Sequence, residues 1–219
     1  MPNHETPIMP GEAHMLLVLL VDTSGSMSDY GKMQSVNEGC RRFLEDAPKD
    51  EHTRNRLEVC VIEFNDRARL VADFTPVCSV VPPVFEAAGL THMGEGINMA
   101  IDKLRDRITF LDGLGVPLYK PWIFMITDGE PYGESSHVIE DAIRRVKLET
   151  EKDHLKFFSL GVDDANDTQL KRFSDYVFRL QGYNFTNMFD WLTKSMAKVT
   201  DSLVNTQVAL TKPDDVIIV

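Results

Sequence analysis

The residues with the clearest chemistry form a short run of oxygen donors directly after an apolar stretch. Asp22, Ser24 and Ser26 stand in the order Asp-Thr-Ser-Gly-Ser, behind the apolar residues 16–21. Gly25 lets the backbone turn tightly between the two serines, so both hydroxyls can face one point. A carboxylate beside two hydroxyls is part of a ligand set for a hard cation.

Two later segments supply the rest of such a ligand set. Thr91 lies in a glycine-flanked loop, and Asp128 stands directly after the strand-like run 122–127. The oxygens suit Mg²⁺, which prefers near-octahedral oxygen coordination, whereas zinc prefers cysteine and histidine. The sequence therefore predicts one divalent-cation site, with Mg²⁺ favoured and Mn²⁺ or Ca²⁺ left open. The predicted ligands are two carboxylates and three hydroxyls: Asp22, Ser24, Ser26, Thr91 and Asp128.

This ligand set leaves room for a ligand from another molecule. Two carboxylates balance the charge of one divalent ion, and the hydroxyls add no charge of their own. A cation held in this way can accept a further anionic oxygen. We therefore expect a protein partner that presents an acidic side chain to the metal.

Alternating strand and helix patterns place these residues at one edge of a sheet. Helical spacing of apolar residues marks helices around 33–47, 97–111, 138–146 and 189–203, with a helical turn near 168–173. Apolar runs predict strands at 16–21, 57–64, 68–74, 122–127, 157–160 and 176–180. The alternation predicts a three-layer, doubly wound α/β fold, with helices on both faces of a mostly parallel sheet. Ligands bind such sheets at the carboxyl ends of the strands.

The two ends of the predicted sheet differ. The connection Asn65-Asp66 is too short for a parallel crossover, so the strand at 68–74 is expected to be antiparallel and to lie at an edge. The strand at 176–180 is expected to be the last one. The apolar residues 216–219 either pair with an edge strand or fray.

The composition describes an acidic protein with one domain. The 219 residues suit a single α/β domain, predicted at 14–205 between an N-terminal tail, 1–13, and a C-terminal tail, 206–219. The net charge of −11 disfavours nucleic acid, because an acidic surface repels phosphates. No apolar run approaches the roughly 18 residues of a membrane helix, and the first residues do not read as an export signal. We therefore expect no membrane insertion and a cytoplasmic location.

Other polar residues near the predicted site have ordinary interpretations. Glu130 and His92 follow predicted metal ligands, and Asp163-Asp164 follows the strand at 157–160. Solvated loop residues or a helix cap are expected at these positions. A second cation at Asp163-Asp164 is the alternative.

The order of these motifs resembles the metal-ion-dependent adhesion site of von Willebrand factor A and integrin I domains. The Asp-x-Ser-Gly-Ser run, the later threonine and the Thr-Asp-Gly run match that site at all five positions. The alternation of elements agrees with the family from about residue 15 to residue 205. The resemblance implies that the serines and Thr91 contact the metal, and that Asp22 and Asp128 act directly or through water. It also implies a metal-dependent protein-interaction module.

Four segments resemble more narrowly the TerY-like proteins of bacterial tellurite-resistance and stress-response clusters. This resemblance implies a cellular setting rather than any chemistry at the metal site. The segments are LLVDTSGSM, VCVIEFNDRARLV, YKPWIFMITDGEP and FDWLTKSMAKVTDS.

Two other functions compete with a metal-dependent interaction. A Mg²⁺-dependent phosphohydrolase of the Asp-x-Asp type needs an acid/base aspartate where this chain has Ser24. The sequence also lacks a Walker phosphate-binding motif and a Gly-x-Ser-x-Gly elbow, so we expect no enzyme activity. A scaffold whose metal only stiffens the loops stays open. Partner binding by such a scaffold would survive chelation, whereas a metal-mediated contact would not.

Overall fold

One sheet forms the centre of the molecule. The computed structural model describes residues 11–162, 165–174, 176–180, 185–211 and 216–218. The strands of these residues are β1 (Met15–Asp22), β2 (Leu57–Phe64), β3 (Ala68–Pro76), β4 (Trp122–Thr127), β5 (Lys156–Val162), β6 (Tyr176–Leu180) and β7 (Val216–Ile218). They lie side by side in the order β3-β2-β1-β4-β5-β6-β7. The five inner strands are parallel, whereas β3 and β7 are antiparallel to their neighbours.

Helices cover both faces of this sheet. The helices of the described residues are α1 (Lys32–Asp46), α2 (Glu51–Arg56), α3 (Met93–Gly113), α4 (Ser136–Glu151), α5 (Asp167–Phe173) and α6 (Thr186–Asp201). One core cluster joins α1 and α6 to the sheet, and a second joins α3, α4 and α5 to the other face. Leu17 and Leu19 of β1 belong to the first cluster, Leu16 and Val18 to the second. Because successive strand residues point to opposite faces, β1 is apolar along its whole length.

The predicted fold class is confirmed, and the strand expected at an edge is β3. The expectation that residues 176–180 form the last strand was wrong. Ile218 pairs with Phe178, so β7 supplies backbone partners to the outer side of β6. A three-residue strand is too short for its periodicity to be distinguished from an apolar tail.

Residues beyond 205, the predicted end of the domain, also pack against the core. Val208 and Leu210 pack against the core cluster that contains Trp191, whose ring nitrogen donates to the Thr211 carbonyl. At the other end, residues 1–10 of the predicted tail lie outside the described residues. The domain bounds of 14–205 stay a prediction. None of the described helices is long and apolar enough to cross a membrane.

A buried charged group closes the amino end of the sheet. Glu58, the second residue of β2, lies 2.6 Å from His14 Nδ1 and accepts a hydrogen bond of 2.8 Å from Arg107 Nε. Burial alone would raise the pKa of Glu58. The hydrogen bonds with His14 and Arg107, together with their charges, hold that pKa below its ordinary value. This group lies at the opposite end of β2 from the predicted metal site.

Candidate metal centre

Asp22 is the last residue of β1 and is fully buried. One of its carboxylate oxygens accepts a hydrogen bond from the Ser24 amide (2.8 Å), and the other accepts one from the Thr127 hydroxyl (2.5 Å). Burial raises the pKa of Asp22 to about 6, and the negative charge of Asp128 adds to this shift against the hydrogen bonds. The carboxylate is therefore fixed in position and destabilised as an anion, which favours a nearby cation.

Ser24, Ser26 and Asp128 form a chain of contacts beside Asp22. The Ser24 and Ser26 hydroxyl oxygens are 3.2 Å apart, and Ser26 Oγ donates to Asp128 Oδ1 at 2.7 Å. Asp128 reaches this point because β4 pairs with β1, with Val21 opposite Ile126. The parallel register thus brings two carboxylates, 106 residues apart in sequence, to one place at the carboxyl edge.

Thr91 lies on the neighbouring loop. The amide of Gly25 donates to the carbonyl of Gly89 (3.1 Å), and Thr91 exchanges two backbone hydrogen bonds of 3.0 Å with Tyr132. In the described part of the chain, no hydrogen bond joins the Thr91 hydroxyl to the other four predicted ligands. The loops hold Thr91 beside the site, and its place among the ligands stays a prediction.

The start of α3, two residues after Thr91, is held by a carboxylate that sequence reasoning missed. Glu134 accepts hydrogen bonds from the amides of Gly94 (2.6 Å) and Glu95 (3.1 Å), in the first turn of α3. Burial raises the pKa of Glu134 in spite of these hydrogen bonds. An acceptor at a helix N-terminus satisfies otherwise unpaired amides. Glu134 is 40 residues from Gly94, so no local sequence signal indicates the contact.

A lysine in contact with a predicted ligand is a second residue that sequence reasoning missed. Lys32, the first residue of α1, forms an ion pair with Asp128 Oδ2. The side chains of Lys32 and Asp128 are only 5% and 2% exposed. Lysine at a helix start is usually solvated, so composition and spacing gave no sign of this contact.

The donor set fits a hard divalent cation. Two adjacent oxygens around Mg²⁺ are about 3 Å apart when each lies about 2.1 Å from the ion. The separations along Ser24, Ser26 and Asp128, 3.2 and 2.7 Å, bracket that value. In the described ranges, no group of three or more His, Cys, Asp or Glu residues is placed to hold a metal. Hydroxyl and carboxylate oxygens are the kind of ligand that Mg²⁺ prefers, whereas zinc prefers cysteine and histidine. The assignment of the five ligands itself stays a prediction.

The other polar residues near this edge take ordinary positions. Glu130 is exposed and accepts a hydrogen bond of 2.6 Å from Asn166, the N-cap of α5. His92 is partly buried, with its Nδ1 atom 3.4 Å from a carboxylate oxygen of Glu95. The pair Asp163-Asp164, considered for a second cation, lies outside the described residues.

The structure is an α/β domain that gathers the oxygens of Ser24, Ser26 and Asp128 beside Asp22 at the carboxyl edge of its sheet. The family model of the von Willebrand factor type A domain matches residues 17–191. The chain therefore belongs to the von Willebrand factor type A (VWA) domain family. A comparison with curated proteins gives no match.

Solved structures of low sequence identity share the fold. The von Willebrand factor type A structure from Catenulispora acidiphila is 17% identical, with a TM-score of 0.64 over 86% of this chain and 43% of that one. The vWF domain of the pilus tip protein Mfa5 from Porphyromonas gingivalis is 12% identical, with a TM-score of 0.66 over 89% of this chain and 99% of that one.

A third structure is the mussel byssus protein PTMP1 with a zinc-occupied MIDAS motif. It is 18% identical, with a TM-score of 0.52 over 86% of this chain and 45% of that one. This chain spans less than half the length of several such neighbours, the Catenulispora protein and PTMP1 among them.

Proposed function

We propose that this VWA domain is a metal-dependent protein-interaction module. Asp22, Ser24, Ser26, Thr91 and Asp128 hold one divalent cation, with Mg²⁺ favoured by the oxygen ligands. A partner protein completes the coordination with the carboxylate of an acidic side chain. The domain itself has no catalytic role in this proposal.

The observation that carries the proposal is a contiguous group of oxygens that is buried on one side and open on the other. Asp22 and Ser24 are buried beneath it, whereas Ser26 is an exposed residue. A cation held between them has protein ligands below and solvent above. The open side is where a ligand from another protein can enter.

Two exposed aromatic residues are close to the proposed ligands, one through backbone pairing and one in sequence. Tyr132, paired through its backbone with Thr91, is 69% exposed, and Tyr30, four residues after Ser26, is 78% exposed. Tyrosine is enriched in protein interfaces because its ring contributes apolar area and its hydroxyl a hydrogen bond. Their exposure favours a protein partner over a small diffusible substrate.

The residue two positions after Asp22 argues against a phosphohydrolase of the Asp-x-Asp type. A nucleophilic aspartate of this type needs a second acid two residues later. Ser24 stands at that second position.

The metal and the cellular setting are finer parts of the proposal. PTMP1 is described with zinc in its MIDAS motif, which supports a divalent cation at the equivalent position of this fold. A bacterial tellurite-resistance or stress-response setting rests on the TerY-like segments alone, and the cytoplasmic location expected from the sequence belongs with it. None of the proteins compared above is described as part of such a system.

Metal titration tests the site. Protein stripped with EDTA is titrated with Mg²⁺, Mn²⁺ and Ca²⁺ by calorimetry, beside Asp128→Asn. We expect saturable binding at one site in the wild type and a loss of about a hundredfold or more in the variant. Asp106→Asn is the matched control, because Asp106 is an exposed α3 residue far along the helix from the site. Equal binding by wild type and Asp128→Asn, or none by the wild type, contradicts the metal centre.

Peptide selection tests the partner chemistry. A library of random peptides is selected on the Mg²⁺-loaded protein and eluted with EDTA. The proposal predicts that the eluted peptides are enriched in Asp and Glu and do not bind Asp128→Asn. Peptides that remain bound in EDTA, with no acidic enrichment among those released, would favour the scaffold function instead.

A further inference from the structure

A cavity lies beneath the chain that follows α6, at the end of the sheet opposite the proposed metal centre. On one side it is lined by the first residues of three neighbouring parallel strands, Trp122 of β4, Lys156 of β5 and Tyr176 of β6. On the other side lies the segment 205–210, which has neither helical nor strand structure. The cavity has a volume of about 680 Å³, within the range of pockets that hold small molecules.

A second cavity of about 320 Å³ adjoins the first. Both are lined by the same four residues, Lys156, Tyr176, Val208 and Leu210. The remaining lining of the smaller cavity is mainly apolar and consists of Phe158, Phe178, Trp191, Thr211 and Ile218. The two cavities therefore form one space with a polar part and an apolar part, and Lys156 lies where they meet.

The space exists because an extended segment covers this part of the sheet. Val208 and Leu210 pack against the core, whereas Ala209 between them is exposed. An extended chain places only every second side chain on the surface that it covers, so gaps remain between these side chains and the aromatic rings. The hydrogen bond from Trp191 to the Thr211 carbonyl holds the end of the segment in place.

Lys156 is the charged group at the junction of the two cavities. It is partly buried, and its ammonium lies 5.7 Å from the centroid of the Trp122 ring. In the part of the chain that the structure describes, no carboxylate forms an ion pair with Lys156, since Asp153 pairs instead with Lys120. Burial and the charge of Lys120 lower the pKa of Lys156 against the opposing effect of Asp153. An anion brought by a ligand would stabilise this ammonium.

We propose that these adjoining cavities bind a small organic carboxylate, with its anionic group at Lys156 and its apolar body against the aromatic side chains. One ammonium without a carboxylate partner suits a ligand with a single negative charge. The aromatic lining suits an apolar body, as in most pockets that bind small molecules. This site is separate from the proposed metal centre, because the cavities lie at the amino ends of the strands.

Tryptophan fluorescence provides a direct readout of the site. The chain has two tryptophans, and both line the cavities, Trp122 the larger and Trp191 the smaller. The probe is octanoate, which does not absorb where tryptophan does, and octanamide is its uncharged analogue. Both are titrated into EDTA-treated protein. We expect a saturable change in fluorescence, with octanoate bound about tenfold more tightly than octanamide, because a partly screened charge pair contributes about that factor.

Substitution of the lysine tests the anionic end of the site. Lys156→Met removes the charge and keeps the length of the side chain. It should lower octanoate affinity about tenfold, to that of octanamide, and leave octanamide affinity unchanged. Lys147→Met is the matched control, because Lys147 is an exposed residue of α4 on the opposite face of the sheet. Circular dichroism verifies each fold, and Lys156→Gln serves if Lys156→Met is not folded.

Substitution of a leucine tests the apolar end of the site. Leu210→Ala removes apolar surface from both cavities and should weaken octanoate and octanamide by the same factor, about fivefold. Leu203→Ala is the matched control, because Leu203 is 81% exposed and does not line either cavity. Unchanged affinities in Leu210→Ala would overturn the placement of the apolar body.

Two further outcomes would overturn the site itself. One is the absence of a saturable fluorescence change with octanoate, and the other is equal octanoate affinity in wild type and in a folded, neutral Lys156 variant. Asp128→Asn should bind octanoate as wild type does. A loss of octanoate binding in Asp128→Asn would place the carboxylate at the metal centre and would also overturn the inference.

Discussion

The sheet has a buried carboxylate at each end, and the pKa values of the two are shifted in opposite directions. At the amino end, Glu58 is in contact with both His14 and Arg107, and its pKa is held below the ordinary value. At the carboxyl end, Asp128 pairs with Lys32, whereas burial raises the pKa of Asp22 to about 6. Glu58 lies near the start of β2 and Asp22 at the end of β1, two neighbouring parallel strands.

The difference separates a structural group from a binding site. A buried carboxylate with enough cationic partners is neutralised within the fold and needs nothing from outside. A buried carboxylate that lacks such partners raises the free energy of the folded protein until a cation arrives. We therefore expect the amino-end group to serve stability and the carboxyl-end group to serve ligand binding. The following substitutions test this division.

The largest expected effect on the free energy of unfolding comes from Glu58→Gln. The change leaves Arg107 and His14 buried without their anion, which costs about 3 kcal/mol. Urea unfolding should show this loss, whereas Mg²⁺ affinity should stay unchanged because the metal edge lies at the far end of β2. A large loss of metal affinity in the folded variant would contradict the division between the two ends.

Glu149→Gln is the matched control for Glu58→Gln. Glu149 also has an arginine and a histidine as partners, Arg105 and His154, but these lie 48% and 60% exposed at the surface. Solvent screening limits the loss in this control to about 1 kcal/mol or less. Equal losses in the two variants would show that burial of Glu58 has no special role.

At the metal end, Asp22→Ala should lower metal affinity more than Ser24→Ala. The first change removes a charge from the centre, and we expect a loss of about a hundredfold or more. The second removes one neutral ligand, and we expect a loss of about tenfold. Calorimetry with Mn²⁺ on EDTA-stripped proteins measures both, with circular dichroism to verify the fold. A Ser24→Ala protein that binds metal no more tightly than Asp22→Ala would break this ranking.

The smallest expected effect is on acid stability. Because the pKa of folded Glu58 lies below its ordinary value of 4.5, its charge stabilises the fold above that pH. This contribution disappears as the pH falls through the folded-state pKa. Wild-type stability should therefore fall more steeply than that of Glu58→Gln below about pH 4.5. Urea unfolding of both proteins across that range measures the slopes, and parallel curves would contradict the assignment.

Much of the fold follows from apolar patterning. Strands β2, β4 and β6 begin and end at the residues predicted from their apolar runs, 57–64, 122–127 and 176–180. The reason is that parallel strands are buried on both faces and end where polar residues begin. Helix ends are harder to predict from apolar spacing. Helix α4 extends to Glu151, five residues beyond its last predicted apolar position at 146. Its last turn carries polar residues without a periodic signal.

Short elements could not be predicted in the same way. Helix α2 spans six residues, and β7 spans three. Neither is long enough to repeat an apolar pattern, so local sequence leaves several conformations open. Their structure depends on neighbours: α2 packs against α6, and β7 pairs with β6.

The sequence by itself determined the fold class, the family and the five candidate ligands, because apolar runs and the order of oxygen donors are written in residue types and spacing. Only the tertiary structure decided which side chains contact these ligands. Lys32 reaches Asp128 across 96 residues, and Thr127 reaches Asp22 across 105. Contacts of this kind depend on strand register and on where a helix starts. Only the folded chain could therefore show that a lysine shares the proposed metal centre.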